Sequence, residues 1–154
     1  MVASAGLEMN FMIDRDARQF VDTNILVYAH DRSAGDKHMR AKGLIGALWA
    51  SETGCLSIQV LQEFYVTITR KVEAPLNPQD AAKLVADLSA WRVHTPTTAD
   101  LLSAIDIQQR YQLSFWDAMV IQSAMQLSCE ALWSEDLNAG QEYGGVKLIN
   151  PFTA

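Results

Sequence analysis

Short, nearly unbroken apolar runs alternate along this chain with longer stretches whose apolar residues recur every three or four positions. The runs are Gln19 to Val21, Gly54 to Ile58, Arg92 to Thr95, Ala131 to Trp133 and Val146 to Ile149. Their length and lack of polar alternation suit strands buried on both faces. Between them the helical periodicity predicts a helical turn over Asn24 to Ala29 and helices over Asp36 to Ser51, Gln59 to Lys71, Asn77 to about Trp91, Thr97 to Tyr111 and Ser114 to Leu127. Asn77 followed by Pro78 and Asp80 is a strong helix start, because Asn caps free amides and Pro fits the first turn. Pro151 stops the last strand, and Glu73 to Pro78 reads as a loop.

Strands and helices in alternation imply parallel pairing, right-handed crossovers and helices on both faces, an open α/β sandwich. The 154 residues suffice for one domain with a real core. A 49% hydrophobic and 19% charged composition is that of a globular protein, and no apolar run nears the roughly 20 residues that span a bilayer. Met1 to Gln19 carries Asp14, Arg15, Asp16 and Arg18 in place of a secretory signal, so it is expected to be an N-terminal extension of a cytoplasmic protein, ahead of a domain over 20–154. Cys55 and Cys129 have no metal-ligand spacing and are expected to be buried free thiols.

Charge narrows the chemistry. Twelve Lys and Arg against eighteen Asp and Glu give a net charge of −6, which excludes a protein that holds nucleic acid mainly by neutralising phosphates. Any such contact must be local, and Arg32, Lys37, Arg40 and Lys42 form the best basic stretch, with a solvated helix face as the competing reading.

The acids carry more information. In open α/β sheets the ligand site lies beyond the carboxyl ends of the strands, where the strand order reverses. Asp22 closes the strand of Phe20-Val-Asp-Thr-Asn24, and Asp136 follows Ala131-Leu-Trp133 closely, so both project from the same edge. Asp117 lies on the apolar face of its helix, with Val120, Ile121 and Ala124 at plus three, four and seven. A carboxylate there costs several kcal/mol unless it is hydrogen-bonded, paired or bound to metal. A Ser114 cap with Asp117 at the third position also makes a helix start, and the two roles can coexist. Glu63 flanks the stripe of Val60, Phe64 and Ile68. Clustered, the four acids would repel one another and call for cations; magnesium or manganese, hard ions that favour oxygen ligands, would suit metal-assisted phosphodiester hydrolysis.

These residues resemble the PIN-domain ribonucleases, particularly the VapC-type toxins of toxin-antitoxin pairs. The resemblance runs from Phe20 to Phe152 and rests on Phe20-Val-Asp-Thr-Asn-Ile-Leu-Val-Tyr-Ala29, on Glu63, on Leu113-Ser-Phe-Trp-Asp-Ala118 and on Leu132-Trp-Ser-Glu-Asp-Leu-Asn138, in that order. It implies a three-layer sandwich with a parallel sheet of about five strands in the order 3-2-1-4-5. It also implies a magnesium or manganese site of Asp22, Glu63, Asp117 and Asp136, supported by Thr23, Asn24 and Ser134. An RNA substrate, a small antitoxin partner and a homodimer follow from the same resemblance. A magnesium-dependent aspartyl-phosphate phosphatase would want a second Asp where this chain has Asn24, and a non-catalytic interaction domain would not need four acids. His30, His38 and His94 are scattered, so they are expected at the surface or in loops, and Trp49, Trp91, Trp116 and Trp133 are expected in the core rather than stacked on bases.

Overall fold

The computed structural model describes residues 16–153. Five strands fall where the apolar runs predict: β1 (Gln19–Val21), β2 (Gly54–Ser57), β3 (Arg92–His94), β4 (Ala131–Trp133) and, closing the chain, β6 (Val146–Ile149). Between β4 and β6 lies a two-residue strand, β5 (Glu142–Tyr143). The helices are α1 (Thr23–His30), α2 (Asp36–Ser51), α3 (Ile58–Arg70), α4 (Pro78–Leu88), α5 (Thr98–Tyr111) and α6 (Phe115–Gln126). The reading of an N-terminal extension falls mainly on residues 1–15, outside the described residues; Gln19 already pairs with Gly54 and Ala131.

Polar residues at the helix starts explain why the boundaries were legible. Ser57 accepts from the Val60 amide, Asn77 from Asp80 and Ser114 from Asp117, while Thr97 and Asp100 form a reciprocal capping box. α4 stops earlier than its periodicity predicts, at Leu88 rather than near Trp91. Ser89 and Ala90 turn the chain so that Trp91 lies against Gly54.

The sheet order is β3-β2-β1-β4-β6-β5, and every pairing is parallel except β5 with β6. The expected 3-2-1-4-5 order therefore holds with β6 as its fifth strand, and β5 is added at the edge. Its origin is Gly144-Gly145, both at positive φ, which makes the tight two-residue turn that a hairpin needs. α1 packs on α2 and α3, and α3 on α4, while α5 packs on α6; right-handed crossovers, the rule for parallel strands, put the first group on one face of the sheet and the second on the other. Phe20, Val21, Leu56, Leu132, Trp133 and Leu148 fill the sheet between them at 2% exposure or less.

Cys55 and Cys129 are buried and free. Of the histidines, expected at the surface or in loops, His94 departs from the expectation and His30 and His38 are partly exposed. His94 is buried between Ser123 (2.8 Å to Nδ1) and Asp100 (3.0 Å to Nε2), tying β3 to both helices behind it. His30 packs edge-on against Phe64 with Nδ1 on the Leu26 carbonyl, and His38 Nδ1 meets the Tyr28 carbonyl. Among the described residues no helix is long and apolar enough to cross a membrane.

Candidate active site

The strand order reverses between β1 and β4, so their carboxyl ends open a crevice. Asp22 is the residue after β1, 7% exposed. It caps α1: Oδ1 accepts from the Thr23 amide at 2.7 Å, and Oδ2 accepts from Ser134 Oγ, just beyond β4, at 2.8 Å. Ser134 Oγ in turn accepts from the Asp136 amide at 3.2 Å. On the other side Thr23 Oγ1 donates to Glu63 Oε1 at 2.7 Å. One hydrogen-bonded chain thus runs Glu63, Thr23, Asp22, Ser134, Asp136, across the switch point and through three separate stretches of sequence.

A cleft of about 730 Å³ opens over this chain, and all four predicted acids line it. Each wall is one helical stripe: Thr23, Asn24, Val27 and Tyr28 from α1, Gln59, Gln62, Glu63 and Val66 from α3, and Trp116, Asp117 and Val120 from α6. Asp117 combines the two roles left open for it. Its amide takes the Ser114 cap (3.1 Å) while the residue, half-buried, faces the cleft beside buried Val120.

The electrostatics are those of crowded acids. Burial, opposed by the Ser134 and Thr23 hydrogen bonds, pushes the Asp22 carboxyl up from 3.8 to about 6, with the charges of Asp136 and Glu63 adding to the rise. Asp136 is also raised, by burial first and then by Glu135 and Asp117, with the facing Asn24 amide and Lys37 pulling the other way. Neither polar atom of the enclosed Asn24 amide makes a hydrogen bond of good geometry, although the amide lies close enough to Asp136 to favour its ionised form. Among the described residues, no three His, Cys, Asp or Glu side chains converge closely enough to enclose a bare metal ion.

The predicted basic stretch does not reach the cleft. Lys37 is held by Glu135 at 2.7 Å and lies over the Tyr28 and Phe152 rings, while Arg40 donates to the Pro151 carbonyl. Arg32 and Lys42 are exposed elsewhere, and among the residues described as lining the cleft Lys71 is the one lysine or arginine. The tryptophans also divide against expectation. Trp91 and Trp133 are core, but Trp49 is 39% exposed and Trp116, on the cleft wall, is 61% exposed. Trp116 directly precedes an inward-facing Asp117, so helical geometry turns it about 100° away from the buried stripe.

The family model that matches this sequence is that of the PIN domain, over residues 20–141. The chain is a PIN-domain protein. No curated protein matches it. Among solved structures, this PIN domain is similar to VapC20 of Mycobacterium tuberculosis, a sarcin-ricin loop cleaving toxin, with 24% identity, 77% of this chain and 89% of that one covered, and a TM-score of 0.58. It is also similar to a toxin-antitoxin complex from Klebsiella pneumoniae, with 20% identity, 88% and 99% covered, and a TM-score of 0.65. At these identities the likeness is one of fold, and it agrees with the α/β sandwich built from the strands.

Proposed function

We propose that this PIN-domain chain is a metal-dependent endoribonuclease, acting in the cytoplasm as the toxin of a type II toxin-antitoxin pair. The observation that carries the reading is the hydrogen-bonded chain that aligns Glu63, Asp22 and Asp136 on one cleft, with Asp117 on the facing wall. The sarcin-ricin loop activity of one structural neighbour and the antitoxin bound in the other support the substrate class and the partner. A homodimer is part of the same proposal.

The residues present fit a hydrated divalent cation. Four carboxyls line one cleft, and two of them, Asp22 and Asp136, are raised by burial and then by the charge of neighbouring acids, which a bound cation would offset. Magnesium keeps most of its own water, so it would need few direct carboxylate ligands here. Asp22, Glu63, Asp117 and Asp136 would hold it. When bound, such an ion lowers the pKa of water and stabilises charge on a phosphoryl group.

The protein's own part is alignment. Thr23 and Ser134 hold Asp22 from both sides in its ionised form, and Ser134 also fixes the backbone that carries Asp136. Thr23 orients Glu63 through its hydroxyl. Removing the shared hydroxyl should therefore loosen two acids at once: Ser134→Ala is expected to weaken magnesium affinity or cleavage by about 10- to 100-fold with the fold intact, checked by cleavage rate against magnesium concentration.

The reading is tested by incubating the protein with total cellular RNA and magnesium, sequencing the new ends, and running a small phosphomonoester in parallel. Discrete RNA cleavage abolished by EDTA is expected. Phosphomonoester turnover without RNA cleavage would transfer the site to phosphatase chemistry, which Asn24 and PIN membership both argue against.

A further inference from the structure

The cleft that is to receive RNA is poor in the groups that hold RNA. Six of its lining residues are acids, Asp22, Asp31, Glu63, Glu73, Asp117 and Asp136, against one lysine, Lys71. The chain's net charge is −6, and the basic residues of α2 are turned aside, Lys37 by Glu135 and Arg40 by a backbone carbonyl. Phosphate neutralisation by side chains therefore supplies little of the affinity. Something uncharged must.

Trp116 supplies the surface for it. Its indole is 61% exposed, the second most exposed large apolar side chain described after Met39, and it stands on the cleft wall next to Asp117. Phe115 meets the ring edge-on, with centroids 4.9 Å apart, which props it from the protein side. Gln59, on the facing stripe of α3, donates from Nε2 to the Trp116 carbonyl at 3.4 Å. An exposed aromatic face, held by the Phe115 ring and by the Gln59 contact to the Trp116 carbonyl, thus stands at the rim of the acids.

We propose that Trp116 forms a nucleobase subsite, in which a base next to the scissile phosphate stacks on the indole. The subsite rests on the ribonuclease reading above. Stacking is tolerant of sequence, because every base has a π-face. The indole would thereby place the backbone over the acids without a basic groove, and other residues would supply any sequence preference.

The test uses the RNA segment around a cleavage site mapped from total RNA. Trp116→Ala is expected to lower kcat/KM by roughly 5- to 150-fold, chiefly through KM, and Trp116→Phe to recover most of it. Replacing each nucleotide in turn by an abasic one should reveal a position at which the wild type falls to the Trp116→Ala level while Trp116→Ala loses nothing more. That coupling separates stacking from a disturbance of Asp117, which would depress every substrate alike. Wild-type kinetics in Trp116→Ala, as expected if the indole docks a protein instead, would overturn the subsite and leave the ribonuclease standing. A loss in Trp116→Ala that no abasic position shares would overturn it too. Absence of any RNA cleavage by the wild type would overturn both.

Discussion

Asp22→Asn is expected to make the cation-free protein more stable at neutral pH while lowering RNA cleavage by at least about 100-fold, given that losing a mere supporting partner of a metal ligand costs 10- to 100-fold. The stability half follows from the sign of the shift. Burial holds the Asp22 carboxyl at about 6 against an ordinary 3.8, so the folded protein binds that proton more tightly than the unfolded chain does. The stability from this group is fully present below pH 3.8 and is lost as pH rises through about 6. Above that the ionised carboxylate costs up to about 3 kcal/mol. Asparagine keeps the shape and can still accept from the Thr23 amide, while its own amide can donate to Ser134 Oγ. Urea unfolding in EDTA between pH 4 and 8 checks this: the wild type should weaken as pH rises and Asp22→Asn should weaken much less. Parallel curves would mean that Asp22 is not the strained group.

Gly54→Ala should destabilise the fold by about 1–3 kcal/mol or more, although the change is one methyl group. A Cβ on Gly54 would sit 2.5 Å from Cε3 and Cζ3 of Trp91, which are rigid ring atoms rather than the end of a flexible chain. Neither side can give way easily. β2 is held between β1 and β3, and Trp91 is buried and braced by Trp49 with ring centroids 5.4 Å apart. The urea midpoint should fall with the slope unchanged. In a Trp91→Leu background the same substitution should cost far less, because the ring it strikes is gone; equal costs in both backgrounds would contradict the contact.

Both predictions draw on contacts that the sequence marks unequally. The strand ends at Asp22 and near Asp136 were legible, because unbroken apolar runs stop there and parallel sheets bring such ends to one edge. The helix starts were legible from Asn77, Thr97 and Ser114. Local pattern could not show that Trp91 leaves the helix to cover Gly54, since its periodicity continues past Leu88. β5 is two residues long and exists only through its pairing with β6, so Gly144-Gly145 was its one local signal. Trp116 was misplaced in the core because an aromatic beside an apolar helix face carries no mark of its own exposure; the phase set by Asp117 was the available clue. Ser123 and Asp100, which bury His94, come from two other elements, and Lys71 reaches the cleft from the end of α3; no spacing along the chain predicts either.

The acids themselves divide in the same way. Ser134 ties Asp22 to the loop of Asp136 and Thr23 ties Asp22 to Glu63, so three of the four are members of one hydrogen-bonded assembly. Asp117 joins them through the charge it exerts on Asp136 across the cleft. The four should therefore act together on one cation. Calorimetric titration of manganese into the wild type and into Asp22→Asn, Glu63→Gln, Asp117→Asn and Asp136→Asn tests that directly. Saturable binding by the wild type, weakened about tenfold or more in each single variant, is the expected result. Manganese binding that survives all four substitutions unchanged would contradict a shared metal site.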